Sequence, residues 1–357
     1  MKIMQVIPSF NFGGAEIMCE NLIYAQKKLG HDVCAVSLFN THTPISDRIE
    51  AAGEKIFFLG KKSGFDPTVI GKLKKLFRAE KPDAIHVHLN AVRYVAFAAR
   101  SAKIKKCVYT VHNIADKDAS GILLKLNNYF FKHSMVFPVA LNESVRDSIT
   151  RVYGILGENI PVIFNGIDLS KCIVKKNYDL GKNIELLHIG RFSEAKNHNG
   201  LLHALAKIKT RYPDVTLRLL GSGQLREEIE DLARTLGISQ NVVFEGTQSN
   251  VYPYLNAADL FVFPSVYEGM PMTLIEAMGT ALPIVASNIK GISDILTDKV
   301  TASLCECDPD SIAEKCIELL DNRTLREKYG NAALYAAAPF SAQSMAERYV
   351  EVYAKKD

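Results

Sequence analysis

The chain has 357 residues, 48% hydrophobic and 23% charged, with a net charge of +4, which fits a soluble globular protein with room for two domains. No apolar run nears the ~20 residues of a membrane span, and MKIMQVIPSFNFGGAE lacks the apolar length and small-residue cleavage site of a signal peptide. Seven cysteines lie mostly in apolar stretches, and Cys305-Glu306-Cys307 has no second pair at zinc-ligand spacing, so a reduced, metal-free, cytoplasmic chain is expected.

Charge is uneven along the chain. Residues 1 to 165 hold 22 basic and 14 acidic side chains, a net of +8, while the remainder holds 21 and 25, a net of −4. Lys61, Lys62, Lys72, Lys74, Lys75, Arg78 and Lys81, then Lys103, Lys105 and Lys106, could form a face for anionic lipid headgroups or phosphorylated acceptors, with no nucleic acid expected. A solvated lysine-rich surface would have the same sequence.

In chain order, MKIMQVIP, DVCAVSLF, KIFFL, DAIHVHL, KCVYTVH, MVFPVAL and PVIF read as short strands. Amphipathic helices such as GAEIMCENLIYAQKKLG and PTVIGKLKKLFRAE separate many of them. The polar stretch FNGIDLSKCIVKKNYDLGKN reads as a linker. A second series follows with IELLHIG, VTLRLLG, NVVFEG, DLFVFP, LPIVAS and TASLC, and SAQSMAERYVEVYAKK closes the chain as a helix with no strand after it. Two such βα series imply two doubly wound parallel sheets, whose ligands sit beyond the carboxyl ends of the strands.

Candidate residues cluster at those ends. Gly13 and Gly14 follow a strand and open a helix, where backbone amides can approach a phosphate, although a tight turn would look alike. His86 and His88 share a strand face. His112 ends the next strand beside Asn113, where its imidazole could donate to a sugar hydroxyl or a phosphate oxygen, or serve only the structure. After Gly190, Arg191 and Lys196 lie in one loop as a planar fork and a point charge able to clamp a diphosphate. Gly221 and Gly223 close the next strand and leave room for a ligand against the backbone. In PSVYEGMPMTLIEAM, Glu268 sits at a strand end, and Gly269, Met270 and Pro271 form a tight turn with Pro at the first helical position. A helix over 272–280 then carries Leu274 and Glu276. Its amides suit phosphate, Glu276 suits a vicinal diol such as a ribose, and Glu268 can reach hydroxyls beyond the phosphates.

Arg191 and Lys196 followed by Glu268-x7-Glu276 resemble the retaining GT-B glycosyltransferases of glycosyl-transfer group one, family four, of the exopolysaccharide and capsule type. The likeness spans nearly the whole chain through the Gly-Gly loop, HVH, TVH, FNGID, GRFSEAKN, LLGSG and PSVYEGMPMTLIEAM. It implies an α/β GT-B fold of two Rossmann-like doubly wound domains facing a cleft. The acceptor-binding domain would be 1–166 plus 340–357, with the last helix crossing back after Pro339-Phe340, and the nucleotide-sugar domain 167–339.

The same resemblance implies metal-independent, cofactor-free transfer of a hexosyl or N-acetylhexosaminyl unit from a nucleotide-diphosphate sugar. The acceptor would be a hydroxyl of a glycan or polyprenyl-diphosphate-linked acceptor in surface polysaccharide biosynthesis. Arg191 and Lys196 would hold the diphosphate and stabilise the leaving group, Glu276 the ribose, and Glu268 the sugar hydroxyls, helped by amides of Gly269 and Met270. Gly190, Gly221, Gly223, Pro271 and Leu274 would complete the donor site. Gly14 would lie near the donor phosphate or the acceptor, Gly13 and Asn113 at the acceptor, and His112 near the transferred sugar. Glu268, Arg191, Lys196 and His112 form the implied catalytic set.

One departure stands out. The block EAMGTALP places Ala281 where the family has Gly after the helix, so the turn is expected to be reshaped or compensated by Gly279, because Ala adopts positive φ only at a cost. ALNESV also differs from the family's small-residue and Ser pattern at its strand end. Two other readings stay open, a nucleotide-sugar epimerase and a non-catalytic nucleotide- or glycan-binding partner of another transferase. GILLKLNNYFFKHSM, with Ile122, Leu123, Leu126, Phe130 and Phe131 beside Lys125, Lys132 and His133, could dock peripherally on an anionic membrane at its inner face, or pack into the core.

Overall fold

The computed structural model describes residues 1–11 and 13–355. Phe12 of the first loop, Lys356 at the end of the expected last helix, and Asp357 lie outside the described residues. The chain divides into two compact units, Met1–Ile167 with Phe340–Asp357, and Asp168–Pro339.

The first unit holds β1 (Lys2–Ile7), β2 (Asp32–Ser37), β3 (Lys55–Phe58), β4 (Ala84–His88), β5 (Lys106–Val111) and β6 (Phe137–Ala140). They pair in the order β3-β2-β1-β4-β5-β6, all parallel. The second unit holds β7 (Glu185–Ile189), β8 (Thr216–Leu220), β9 (Val242–Gly246), β10 (Leu260–Phe263), β11 (Ile284–Ser287) and β12 (Ser303–Cys305). Their order, β12-β11-β10-β7-β8-β9, is that of the first sheet read from its other edge, again all parallel. Both are doubly wound α/β sheets, and strand order reverses where β1 meets β4 and where β7 meets β10.

The strands form where helices cover both faces, which makes continuous rather than alternating apolar runs legible; all of β4 and β5 is buried. Tyr94, Phe77 and Phe130 fill the first core, and Phe192, Leu205 and Ile312 the second. PVIF is not a strand. It contributes one isolated bridge, Val162 to Ala140, because its apolar side chains pack from a loop. The stretch expected as a linker is only partly one, since Lys175 N donates to Thr280 O at 2.9 Å and Tyr178 donates its hydroxyl hydrogen to Ala281 O at 3.0 Å, within the second unit.

The last helix, Ala342–Ala354, buries Met345, Tyr349 and Tyr353 in the first unit, where Gln26 Nε2 meets the Tyr353 hydroxyl at 3.3 Å. The helix Gly121–Lys132 turns Phe130 and Phe131 into the core, so the two aromatics offered for membrane docking are unavailable to a bilayer, and Ile122 and Tyr129 are its exposed apolar residues. Lys61 and Lys106 also leave the expected basic face. Lys61 Nζ donates to Lys62 O at 2.8 Å and Gly64 O at 2.6 Å, and Lys106 Nζ lies 4.0 Å from the Phe137 ring centroid. Among the described residues no helix is long and apolar enough to cross a membrane.

Candidate active site

In the second unit the loops after β7 and β10 flank the point where strand order reverses, and they carry the expected cations and one of the expected acids. Lys196 Nζ is ion-paired with Glu268 Oε1 and lies 4.6 Å from the centroid of Phe263, the last residue of β10. Both partners are largely buried, with side chains 18% and 11% exposed, so their attraction is stronger than that of a surface pair. Arg191 is exposed, and its guanidinium has no acidic partner among the described residues. One cation is therefore held in place, and the other is free to meet an anion.

Asn197, which the sequence reading passed over, fastens this arrangement. It caps the helix His198–Arg211 by accepting from Gly200 N at 3.2 Å, and its Nδ2 donates to Pro264 O at 3.1 Å and Cys307 O at 2.8 Å. The loops after β7, β10 and β12 thus share one side chain. Its place at the end of GRFSEAKN, just ahead of a helix, was the available signal. Val266 N adds a bond to Ala195 O at 2.9 Å.

The glycines serve closer packing than ligand access alone requires. Gly221 has φ +131°, and a Cβ on it would lie 2.1 Å from Gly190 O; on Gly223 a Cβ would lie 2.3 Å from Phe192 O. Gly291, also missed, has φ +89° and lies beneath the Glu268–Gly269 backbone, where a Cβ would come 2.4 Å from Glu268 O. Next to Gly190, buried His188 donates from Nδ1 to Val262 O at 2.8 Å.

Pro271 is the residue before the helix rather than its first position, and the helix runs Met272–Gly279 with Leu274 and Glu276 buried on it. Burial raises the Glu276 carboxyl to about 7, opposed by the Lys171 charge and by a hydrogen bond from the Tyr252 hydroxyl. Glu276 and Glu268 therefore occupy different surroundings, one buried with a tyrosine hydroxyl and only a neighbouring lysine charge to offset it, the other ion-paired directly with a lysine. Ala281 adopts φ +56° after all, with Ala281 N bonded to Met278 O at 3.0 Å and Leu282 N to Ala277 O at 3.1 Å. The turn keeps the geometry of a glycine stop. Gly279 does not compensate for it; a Cβ there would lie 2.7 Å from Cys172 Sγ, so its role is packing.

The remaining candidates belong to the first unit. Gly13 is extended, Gly14 begins the helix Gly14–Lys28, and a Cβ on Gly13 would come 2.5 Å from Glu16 Oε2, so a carboxylate already lies over this loop. His112 follows β5, half-buried, with its N bonded to Asp118 Oδ1 at 3.0 Å and its Nε2 3.1 Å from His88 Nδ1. Burial lowers His112 to about 4 and raises Asp118 to about 6. Asn113 Oδ1 accepts from Ile114 N at 2.8 Å, which closes the turn after the strand.

Two like-ordered doubly wound units, with a paired and an unpaired cation and one acid in the strand-end loops of the second and another acid buried on the helix that follows, define an architecture of the GT-B type. Sequence profiles agree along the chain: residues 12–171 match Glycosyltransferase Family 4 and residues 173–334 match Glycosyl transferases group 1. The protein belongs to this family of GT-B glycosyltransferases.

Among curated relatives it is 28% identical to the N-acetylgalactosamine-N,N'-diacetylbacillosaminyl-diphospho-undecaprenol 4-alpha-N-acetylgalactosaminyltransferase of Campylobacter jejuni, over 77% of this chain and 77% of that protein. It is also 28% identical to the UDP-Gal:alpha-D-GlcNAc-diphosphoundecaprenol alpha-1,3-galactosyltransferase of Escherichia coli, over 71% of this chain and 70% of that one. Among solved structures, Anabaena HepE in complex with UDP and glucose shares the fold, with a TM-score of 0.86 at 20% identity over 99% of both chains.

Proposed function

We propose that the chain transfers a hexosyl or N-acetylhexosaminyl unit from a UDP-sugar to a hydroxyl of a polyprenyl-diphosphate-linked glycan, with retention and without a metal. The observation that carries this is the pairing of Lys196 with Glu268 beside an unpartnered Arg191, with Glu276 buried on the following helix. An entering diphosphate supplies Arg191 with the anion it lacks and draws Lys196 from Glu268, which releases that carboxylate for the sugar's hydroxyls. Glu276 accepts from the ribose hydroxyls. The choice of UDP and of a lipid-linked acceptor is supported by the names of the relatives and by the nucleotide that HepE holds.

In the reaction the bond from the anomeric carbon to the β-phosphate oxygen breaks, and the acceptor oxygen bonds to that carbon on the same face. The acceptor's proton passes to the departing phosphate oxygen. Charge builds on the diphosphate as this happens, so Arg191 and Lys196 act where they lower the barrier most. The Gly13-Gly14 loop, already covered by the Glu16 carboxylate, suits an acceptor hydroxyl better than a second phosphate.

Thermal shift with UDP-, GDP-, ADP- and CMP-sugars tests the donor, since a ligand at a hundredfold its Kd stabilises by about 2.7 kcal/mol. Arg191→Ala and Glu268→Ala should each lower transfer by about 100-fold or more without unfolding the protein, and EDTA should change nothing. Full transfer by both variants would refute the assignment.

A further inference from the structure

Beneath His112 runs an unbroken series of side-chain hydrogen bonds. His112 Nε2 lies 3.1 Å from His88 Nδ1, and His88 Nε2 lies 2.9 Å from Gln5 Oε1. Gln5 Nε2 donates to Gln26 Oε1 at 2.9 Å, and Gln26 Nε2 to the Tyr353 oxygen at 3.3 Å. The Tyr353 hydroxyl meets His86 Nδ1 at 2.7 Å, and His86 Nε2 meets Thr110 Oγ1 at 2.7 Å. Thr110 ends the series on the Tyr349 hydroxyl at 2.7 Å. Apart from His112, every member is buried.

The series has a direction. An amide oxygen only accepts, so Gln5 Oε1 requires a hydrogen on His88 Nε2. A neutral imidazole carries one N–H, which leaves His88 Nδ1 as an acceptor and makes His112 Nε2 the donor to it. At the other end, Gln26 gives its amide hydrogen to the Tyr353 oxygen, Tyr353 gives its own to His86 Nδ1, and His86 donates from Nε2 to Thr110. Each link donates in the same sense, and reversal would require both glutamine amides to turn over together. Burial holds all three imidazoles below their ordinary range, His86 and His88 well below it, so they are neutral at pH 7.

We propose that Gln5, Gln26 and Tyr353 are positioning residues that act through His88 to fix His112 as its Nε2–H tautomer, so that the Nδ1 lone pair selects a sugar hydroxyl. Among the described residues no protein group meets His112 Nδ1. A hydroxyl has a hydrogen to give that nitrogen, whereas a fully ionised phosphate has none. His112 thus discriminates against the phosphate end of a donor or acceptor. The inference rests on the proposed sugar transfer and on His112 lying near the transferred sugar, as the family resemblance implies, and it makes the last helix of the chain part of that contact.

The test is long-range proton–nitrogen NMR on the full chain labelled with 15N-histidine, with UDP release from UDP-glucose as a second readout. Wild-type His112 should show a protonated Nε2 and a bare Nδ1. Gln5→Leu, which removes the acceptor for His88, should populate the Nδ1–H form and lower kcat about tenfold with little change in KM. Tyr353→Phe removes one oxygen from the far end and should move both readouts in the same direction as Gln5→Leu, which covers the case in which Gln5→Leu does not fold.

A wild-type His112 protonated on Nδ1 overturns the proposal, and so does a tautomer that neither variant moves. If the tautomer shifts as expected while UDP release is unchanged, and Arg191→Ala still abolishes that release, the bonded series stands and His112 has no place at the sugar. If Arg191→Ala is also fully active, the proposed function itself fails.

Discussion

Glu276 is a buried acid that the proposed function assigns to a ribose, and burial and that role pull in opposite directions. Burial lifts its carboxyl from 4.5 to about 7, against the opposing effects of Lys171 and the Tyr252 hydroxyl. The folded chain therefore binds more protons at this residue than the unfolded chain between those two values. Stability falls as pH rises through that window, and above it the fold carries a buried carboxylate at full cost. Glu276→Gln should raise stability at pH 8 by on the order of 1–3 kcal/mol and leave it nearly unchanged at pH 5. Urea unfolding at both pH values measures this, and an equal effect at the two would mean that the carboxylate is solvated. The same substitution should weaken UDP binding about tenfold, because two ribose hydroxyls lose one of their two acceptor oxygens. Wild-type affinity should likewise decline as pH falls below 7. On the proposed reading the residue lowers stability and adds binding, a trade-off common at sites selected for function.

At the scale of elements, the strands were legible because both sheets are covered on both faces, which leaves apolar runs that read without ambiguity. PVIF misled for the same reason, since an apolar run in a loop packed on the core has the same composition. In the site, Arg191, Lys196 and Glu268 could be placed from the sequence because each follows a strand. The partners of Glu276 could not: Tyr252 and Lys171 arrive from segments with no signal of their own. The His112 series was hidden as well, since Gln5, Gln26 and Tyr353 are ordinary helix or strand residues far apart in the chain.

The stop of the helix Met272–Gly279 also shows a sequence departure that backbone geometry absorbed. Ala281 takes the left-handed conformation at φ +56°, and its carbonyl receives the Tyr178 hydroxyl hydrogen. The turn is held by its neighbours at the expense of a strained alanine. Ala281→Gly should therefore stabilise the protein by about 0.5–1 kcal/mol, because relief of that strain exceeds the added freedom of the unfolded chain. Transfer activity should stay the same. Destabilisation in denaturant unfolding would show that the Ala281 methyl packs more favourably than its backbone is strained.

For the molecule as a whole, the two units are unequal in what they need from the ends of the chain. Residues 168–339 contain a complete six-stranded sheet and its own core, with the second sheet's helices contributed by the same segment. Residues 1–167 contain a complete sheet as well, but the helix Ala342–Ala354, which covers part of it, comes from the other end of the chain. Without it Gln26 and His86 lose the Tyr353 hydroxyl, Thr110 loses that of Tyr349, and the apolar contacts of Met345, Ala346 and Tyr349 go with them. Each buried polar group left without a partner costs about 1–3 kcal/mol, and domain stability is only about 5–15 kcal/mol. Expressed alone, residues 168–339 should unfold cooperatively on heating and bind UDP. Residues 1–167 alone should show helical and strand signal in the far ultraviolet but no cooperative transition, and should bind hydrophobic dyes. Fusing residues 340–357 to that fragment through a flexible linker should restore a sharp melt. If residues 1–167 melt cooperatively without them, the last helix is an addition to a unit already stable, and the hydrogen-bonded series it completes would have to be maintained by the sheet alone.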